Sequence, residues 1–286
     1  MLGRLTLGFF FLLLVWGNLV AGMKAGLGCP DWPLCHGRVL PPYRWDIYME
    51  FGHRVIAAVS TVLLITLSYK RLKVYNGTAR SVPLLAVGLV GAEILLGGFV
   101  VLFELPVQLT TIHFMIGLSV FMLVYYMATF DGISRAAGFS LGGNAGLFLA
   151  FGAVVFFQAA LGSYVRHSGS GLACPDFPTC LGRIMPPLHD MHVMAQFSHR
   201  VLAYLIAITV AVLYTASVLD ERLKANKRAI FYLFLLVASQ ISVGALVVLT
   251  GLYYMTTALH LAVALTMLYV IGNMWSGEFK AEGATL

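Results

Sequence analysis

A chain of 286 residues that is 60% hydrophobic and only 10% charged, with a mean hydropathy of +0.88, does not read as a soluble globular domain. Its formal net charge of +6 comes from lysines and arginines gathered in loops and gives no reason to invoke nucleic acid. The composition points to a polytopic membrane protein.

Apolar runs long enough to span a bilayer fall, in chain order, at residues 5–23, 47–69, 83–103, 107–130, 145–165, 191–219, 229–249 and 254–275. Each supplies about 20 residues at about 1.5 Å rise, enough for a hydrocarbon core of about 30 Å. None shows the apolar–polar alternation of a barrel strand. The first run, with Arg4 ahead and Ala21 and Gly22 behind, resembles a signal peptide. Its repeat partner ending at Val165 is internal, so it is read as a transmembrane helix. Lysine and arginine divide 11 to 7 between the two sides, with the denser clusters on the side of Arg4, Lys70, Arg71, Lys73, Arg222, Lys224, Lys227, Arg228 and Lys280. That bias places both termini in the cytoplasm and the cysteine-bearing loops outside the cell membrane.

The chain is an internal duplication. Cys29-Pro30-Asp31-Trp32-Pro33-Leu34-Cys35, Gly37-Arg38, Pro41-Pro42 and His53-Arg54 return as Cys174-Pro175-Asp176-Phe177-Pro178-Thr179-Cys180, Gly182-Arg183, Pro186-Pro187 and His199-Arg200. The offset is 145 at the cysteines and 146 at the histidines; His113 and His260 form a third pair at 147. The expected fold is an all-α membrane protein of eight transmembrane helices, built as two tandem pseudo-symmetric four-helix bundles, residues 1–135 and 136–286.

The four cysteines lie in the two outer loops, five residues between partners. In an oxidising compartment the pairs Cys29–Cys35 and Cys174–Cys180 can close as disulfides. A structural staple and a redox-active dithiol both suit this pattern. Two cysteines with His36 make a thin zinc site, and Leu181 replaces His36 in the second copy.

Four histidines fall inside spans: His53, His113, His199 and His260. A polar ring at that depth needs a partner. Each half places one in its second helix and one in its fourth, at similar depth, as two-histidine haem ligation requires. His36, His167, His189 and His192 lie in or near outer loops, where histidine is ordinary. The halves are not equal: Glu50 becomes Gln196 and Glu93 becomes Gln240. A carboxylate exchanges a proton and an amide does not, so acid–base chemistry is expected in the first bundle. Alternatively Glu50 is a carboxylate paired with Arg54 or Arg44, and Glu93 a packing contact through Asn18 or a hydroxyl. Arg54 and Arg200, each following a histidine, either anchor haem propionates or reach for lipid headgroups. Gly97-Gly98 and Gly244-Ala245 read as close helix packing.

The two cysteine loops, Glu50-Phe51-Gly52-His53, His113, His199, His260 and the run Arg166-His167-Ser168-Gly169-Ser170-Gly171-Leu172-Ala173 together resemble the haem A synthase family from the first helix to the last. Met23-Lys24-Ala25-Gly26-Leu27-Gly28 departs from that pattern in a loop. The resemblance implies a membrane oxidoreductase that converts the C8 methyl of haem O to a formyl group. Two hydroxylations through the alcohol haem I would give a gem-diol that loses water. It implies that His53 and His113 hold the substrate haem, that His199 and His260 bind iron of a resident haem B, that Arg54 and Arg200 contact cofactor, and that Glu50 is the acid/base. Expected partners are haem O, the bilayer, and transiently a haem O synthase and a cytochrome oxidase; small lipid-facing residues also allow a homo-oligomer. Two rivals remain, a non-enzymatic di-haem cytochrome or haem carrier, and a thiol–quinone oxidoreductase.

Overall fold

A computed structural model describes the backbone of residues 1–283 and the side chains of residues 1–278. Lys280, counted above for orientation, lies outside the described side chains. Among the described residues the chain is helical, with only isolated bridges at Cys35–Arg38 and Cys180–Arg183 in place of strands.

The helices are α1 (Leu2–Gly22), α2 (Trp45–Leu72), α3 (Ser81–Leu102, entered through the 3-10 turn Gly77–Arg80), α4 (Val107–Thr129), α5 (Gly143–His167), α6 (Met191–Leu219), the single turn α7 (Glu221–Lys224), α8 (Lys227–Leu249) and α9 (Tyr254–Gly283). All except α7 are long and apolar enough to cross a membrane, eight spans in all. In α2 and α6, of 28 and 29 residues, the helix runs about 40 Å, so the ends stand clear of the hydrocarbon. Asp190 caps α6 by accepting the His192 N–H.

Residues Met1–Gly138 and Phe139–Leu286 form two compact units. In the first, α1 packs on α2, α2 on α3, α3 on α4 and α4 back on α1. The second repeats this ring with α5, α6, α8 and α9. The interiors are aliphatic and aromatic, with Leu64, Leu118, Phe121 and Val124 buried in one and Phe148, Val210, Leu233 and Leu265 in the other. Side chains such as Val62, Leu84, Ile208 and Val212 are exposed. Outward apolar surface on helices whose backbones are internally bonded is what a lipid solvent requires. Small residues let the helices close up: a Cβ on Gly3 would stand 2.8 Å from the Ala128 backbone, binding α1 to α4. At the end of the first unit remote from its cysteine loop, Arg71 donates to the Met127 and Asp131 carbonyls, and Tyr75 Oη to that of Phe130. These bonds satisfy carbonyls that the end of α4 leaves open.

Candidate functional site

Each cysteine loop is a small closed module. Cys29–Cys35 and Cys174–Cys180 are disulfides, all four cysteines buried. The chain then reverses through two residues at positive φ, His36-Gly37 in one loop and Leu181-Gly182 in the other, the dihedral signature of a type I′ turn. An L side chain is strained there, and in each loop an aspartate offsets the strain. Asp31 accepts the His36 and Gly37 N–H groups at 2.6 and 2.7 Å; Asp176 accepts those of Leu181 and Gly182 at 2.7 and 2.9 Å. The bond from Gly37 lowers the Asp31 pKa. A bond from the Thr179 hydroxyl, with those from Gly182 and Leu181, holds Asp176 at about 2.

The arginines after the first span histidine of each unit, Arg54 and Arg200, clamp these modules. Arg54 donates to the carbonyls of Asp31, Leu34 and Cys29. Arg200 donates to the corresponding carbonyls of Asp176, Thr179 and Cys174 at 2.6–2.7 Å. The forked guanidinium, reaching three carbonyls at once, is suited to this as a point-charge ammonium is not. Glu50 joins the clamp in the first unit only. One oxygen lies 2.6 Å from Arg54 and the other accepts the Cys29 N–H at 2.8 Å. Arg44 pairs with Asp46 instead. Gln196, at the position of Glu50, donates to the Gly171 carbonyl and leaves Arg200 without a carboxylate from that site.

The four span histidines stand at matched positions, His53 and His199 ninth in α2 and α6, His113 and His260 seventh in α4 and α9. Because α2 begins at Trp45, His53 is about 12 Å along its helix, about 3 Å deeper than the expected start at residue 47 implied. Each ring rests on a glycine of a neighbouring helix. A Cβ on Gly17, Gly97, Gly162 or Gly244 would meet Cε1 of His53, His113, His199 or His260 at 2.9, 3.1, 2.9 and 3.0 Å. In the second unit the His199 and His260 ring centres are 6.5 Å apart with an interplanar angle of 63°. All four Nδ1 atoms are buried without a hydrogen bond. Gln158 of α5 donates to the His199 carbonyl at 2.8 Å, and Gln240 of α8 lies 3.2 Å from His260 Nε2.

These residues suit a haem. Two imidazoles whose centres lie 6.5 Å apart can share one metal through bonds of about 2 Å each. Among the described residues no group of three or more His, Cys, Asp or Glu could hold a bare ion. Two protein ligands suffice only for a metal that brings its own equatorial donors. The sequence reading took Gly97 and Gly244 only as helix packing and did not single out Gly17 or Gly162. Their signal was present, since Gly17 and Gly162 repeat at the cysteine offset and Gly97 and Gly244 at that of His113 and His260. Gly98 has a separate role: a Cβ there would press on the Trp32 ring at 2.9 Å, so the first cysteine loop docks on α3 through that tryptophan.

A family model described as a cytochrome oxidase assembly protein, COX15-CtaA, matches residues 43–271. The haem A synthase of Symbiobacterium thermophilum is 32% identical over 263 residues, covering 87% of this chain and 85% of the relative. That of Halalkalibacterium halodurans is 30% identical over 271 residues, covering 90% and 89%. That of Geobacillus thermodenitrificans is 28% identical, covering 87% and 81%. With the repeat, the paired histidines and the cysteine loops in place, this chain belongs to the COX15-CtaA family of cytochrome oxidase assembly proteins.

Proposed function

We propose that this chain is a haem A synthase: a multi-pass membrane oxidoreductase that converts the C8 methyl of haem O to the formyl group of haem A through the alcohol haem I. The observation that carries this is the inequality of two otherwise matched histidine units, with Glu50 three residues before His53 in the first and Gln196 three before His199 in the second. A pair of electron-carrying haems alone needs no acid–base group at that position, although Glu50 also braces the first cysteine loop through Arg54 and the Cys29 N–H.

In this reading His53 and His113 of the first bundle hold the substrate haem O, and His199 and His260 hold a haem B. When bound, haem B supplies one-electron redox chemistry. The protein supplies the rest. The Arg54 guanidinium and the Cys29 N–H fix the Glu50 carboxylate, and each carboxylate oxygen keeps a further lone pair. Glu50 takes a proton from one hydroxyl of the gem-diol and returns one to the departing hydroxyl. Arg54 and Arg200 act on the cofactor side through the loops they clamp. The disulfides brace the loops over the histidine units, and the apolar exterior gives the farnesyl tail of haem O a path from the bilayer. Both termini face the cytoplasm and the cysteine loops the outside of the plasma membrane. Haem O arrives from a haem O synthase and the product passes to a cytochrome oxidase.

The test is co-expression with a haem O synthase in a host lacking haem A, followed by mass spectrometry of extracted haems. Haem A, alone or with haem I, is the expected product. Haem B alone, with haem O abundant in the membrane, would sink the proposal in favour of a di-haem cytochrome or carrier. The Glu50→Gln variant should fold, retain haem and stall before haem A; a normal yield of haem A removes Glu50 from the chemistry.

A further inference from the structure

Glu93 is the second carboxylate present in the first unit and absent from the other, and the chemistry above leaves it unused. It projects from α3 to α4, where Oε1 lies 3.1 Å from His113 Nδ1. The approach is off the line of an aligned hydrogen bond, and both Nδ1 and the second carboxylate oxygen are buried without one. The carboxylate reaches this place because α4 has no side chain one turn beyond the histidine. A Cβ on Gly117 would stand 2.9 Å from Glu93 Oε1. The second unit changes both partners together: Gln240 stands for Glu93 and Ala264 for Gly117, each at offset 147. There the amide lies against Nε2 of His260, not Nδ1.

We propose that Glu93 is a positioning residue for the haem of the first unit, seated in the space left by Gly117 and holding His113 by Nδ1 so that Nε2 is presented to the iron. Ligating histidines commonly donate their remaining ring N–H to a carboxylate, which fixes the tautomer and makes the imidazole a stronger donor. An amide accepts more weakly. The two histidine pairs would then differ in donor strength, with the stronger donor on the haem that is to be oxidised. This rests on the reading of the first unit as a haem site.

The experiment uses the full-length protein loaded with haem B and haem O, oxidised, and read by electron paramagnetic resonance and redox titration rather than by turnover. Glu93→Leu should weaken retention of the first-unit haem by about 10- to 100-fold. Glu93→Gln should keep that haem but shift its low-spin signal and raise its midpoint potential, leaving the His199/His260 haem unchanged. Gly117→Ala should reproduce the Gln shift without altering Glu93, because the new methyl displaces the mobile end of that side chain. A role in packing alone would change neither signal nor potential in the isosteric Gln variant. If haem binds normally and all three variants keep the wild-type signal and potential, the positioning role is overturned. If His113→Ala leaves haem content and spectra as in the wild type, the haem reading of the first unit fails as well.

Discussion

A glycine under each histidine makes the ligand positions sensitive to one methyl group. Gly17→Ala and Gly162→Ala would each drive a Cβ to 2.9 Å from a histidine Cε1, inside any tolerable contact. The ring must turn, and a misaimed ligand loses the iron. Each variant should lose the haem of its own unit, measured as haem per chain, and keep the other. Gly8→Ala is the control, since nothing lies within 4 Å of a Cβ there; alanine at a helical glycine even favours the helix by up to about 1 kcal/mol. Equal haem content in all three variants would sink the cradle idea. The histidines themselves were legible, because duplication singles them out among eight. The glycines were not: Gly17 and His53 are 36 positions apart, and only the rotation of α1 against α2 brings them together. Glu93 stood out by its replacement with Gln240, but its approach to His113, 20 positions on and in another helix, was hidden for the same reason.

At the scale of the element, the sequence revealed the helices well and the loops poorly. The runs at 191–219 and 107–130 match α6 and α4 within a residue, because lipid-spanning composition is a one-dimensional signal. The bonding of the cysteine loops is three-dimensional. Arg54 and Arg200 were expected at propionates or headgroups, and the structure instead directs their donors to the loop carbonyls. Arg200→Lys should therefore free the second loop, at a cost of about 1.5–3 kcal/mol for hydrogen bonds to a charged group. Faster reduction and alkylation of Cys174 and Cys180 would report it; an unchanged rate would remove the clamp. The aspartates add an acid dependence. Asp176 sits at about 2 in the folded loop against an ordinary value of 3.8. A carboxyl lowered on folding stabilises fully above the ordinary value and less as pH falls toward the folded one. Amide exchange at Leu181 and Gly182, corrected for intrinsic rates, should stay protected above pH 4 and lose protection toward pH 2. Asp176→Asn should weaken protection at neutral pH and flatten the acid dependence. The loop aromatic and the small residue under it change together in sequence: Trp32 seats on Gly98 in the first unit, and the corresponding positions of the second are Phe177 and Ala245.

Over the whole molecule, the proposed sidedness rests on two independent signals. Four crossings per unit return the chain to the side from which it started, and the lysine–arginine bias assigns that side to the cytoplasm. The chemistry of the cysteines points the same way. All four are paired in disulfides, and such pairs persist in oxidising space and not against a cytosolic thiol pool. Single cysteines introduced at exposed sites would test both at once. Tyr43→Cys and His189→Cys lie on the cysteine-loop side, and Asn76→Cys and Lys227→Cys on the other. A membrane-impermeant maleimide should label the first two in intact cells and the second two only after permeabilisation. The reverse pattern would place the disulfides in the reducing compartment and contradict both signals. Equal labelling at all four would contradict the eight crossings instead, because one span, α2, lies between residues 43 and 76 and puts them on opposite sides of the membrane.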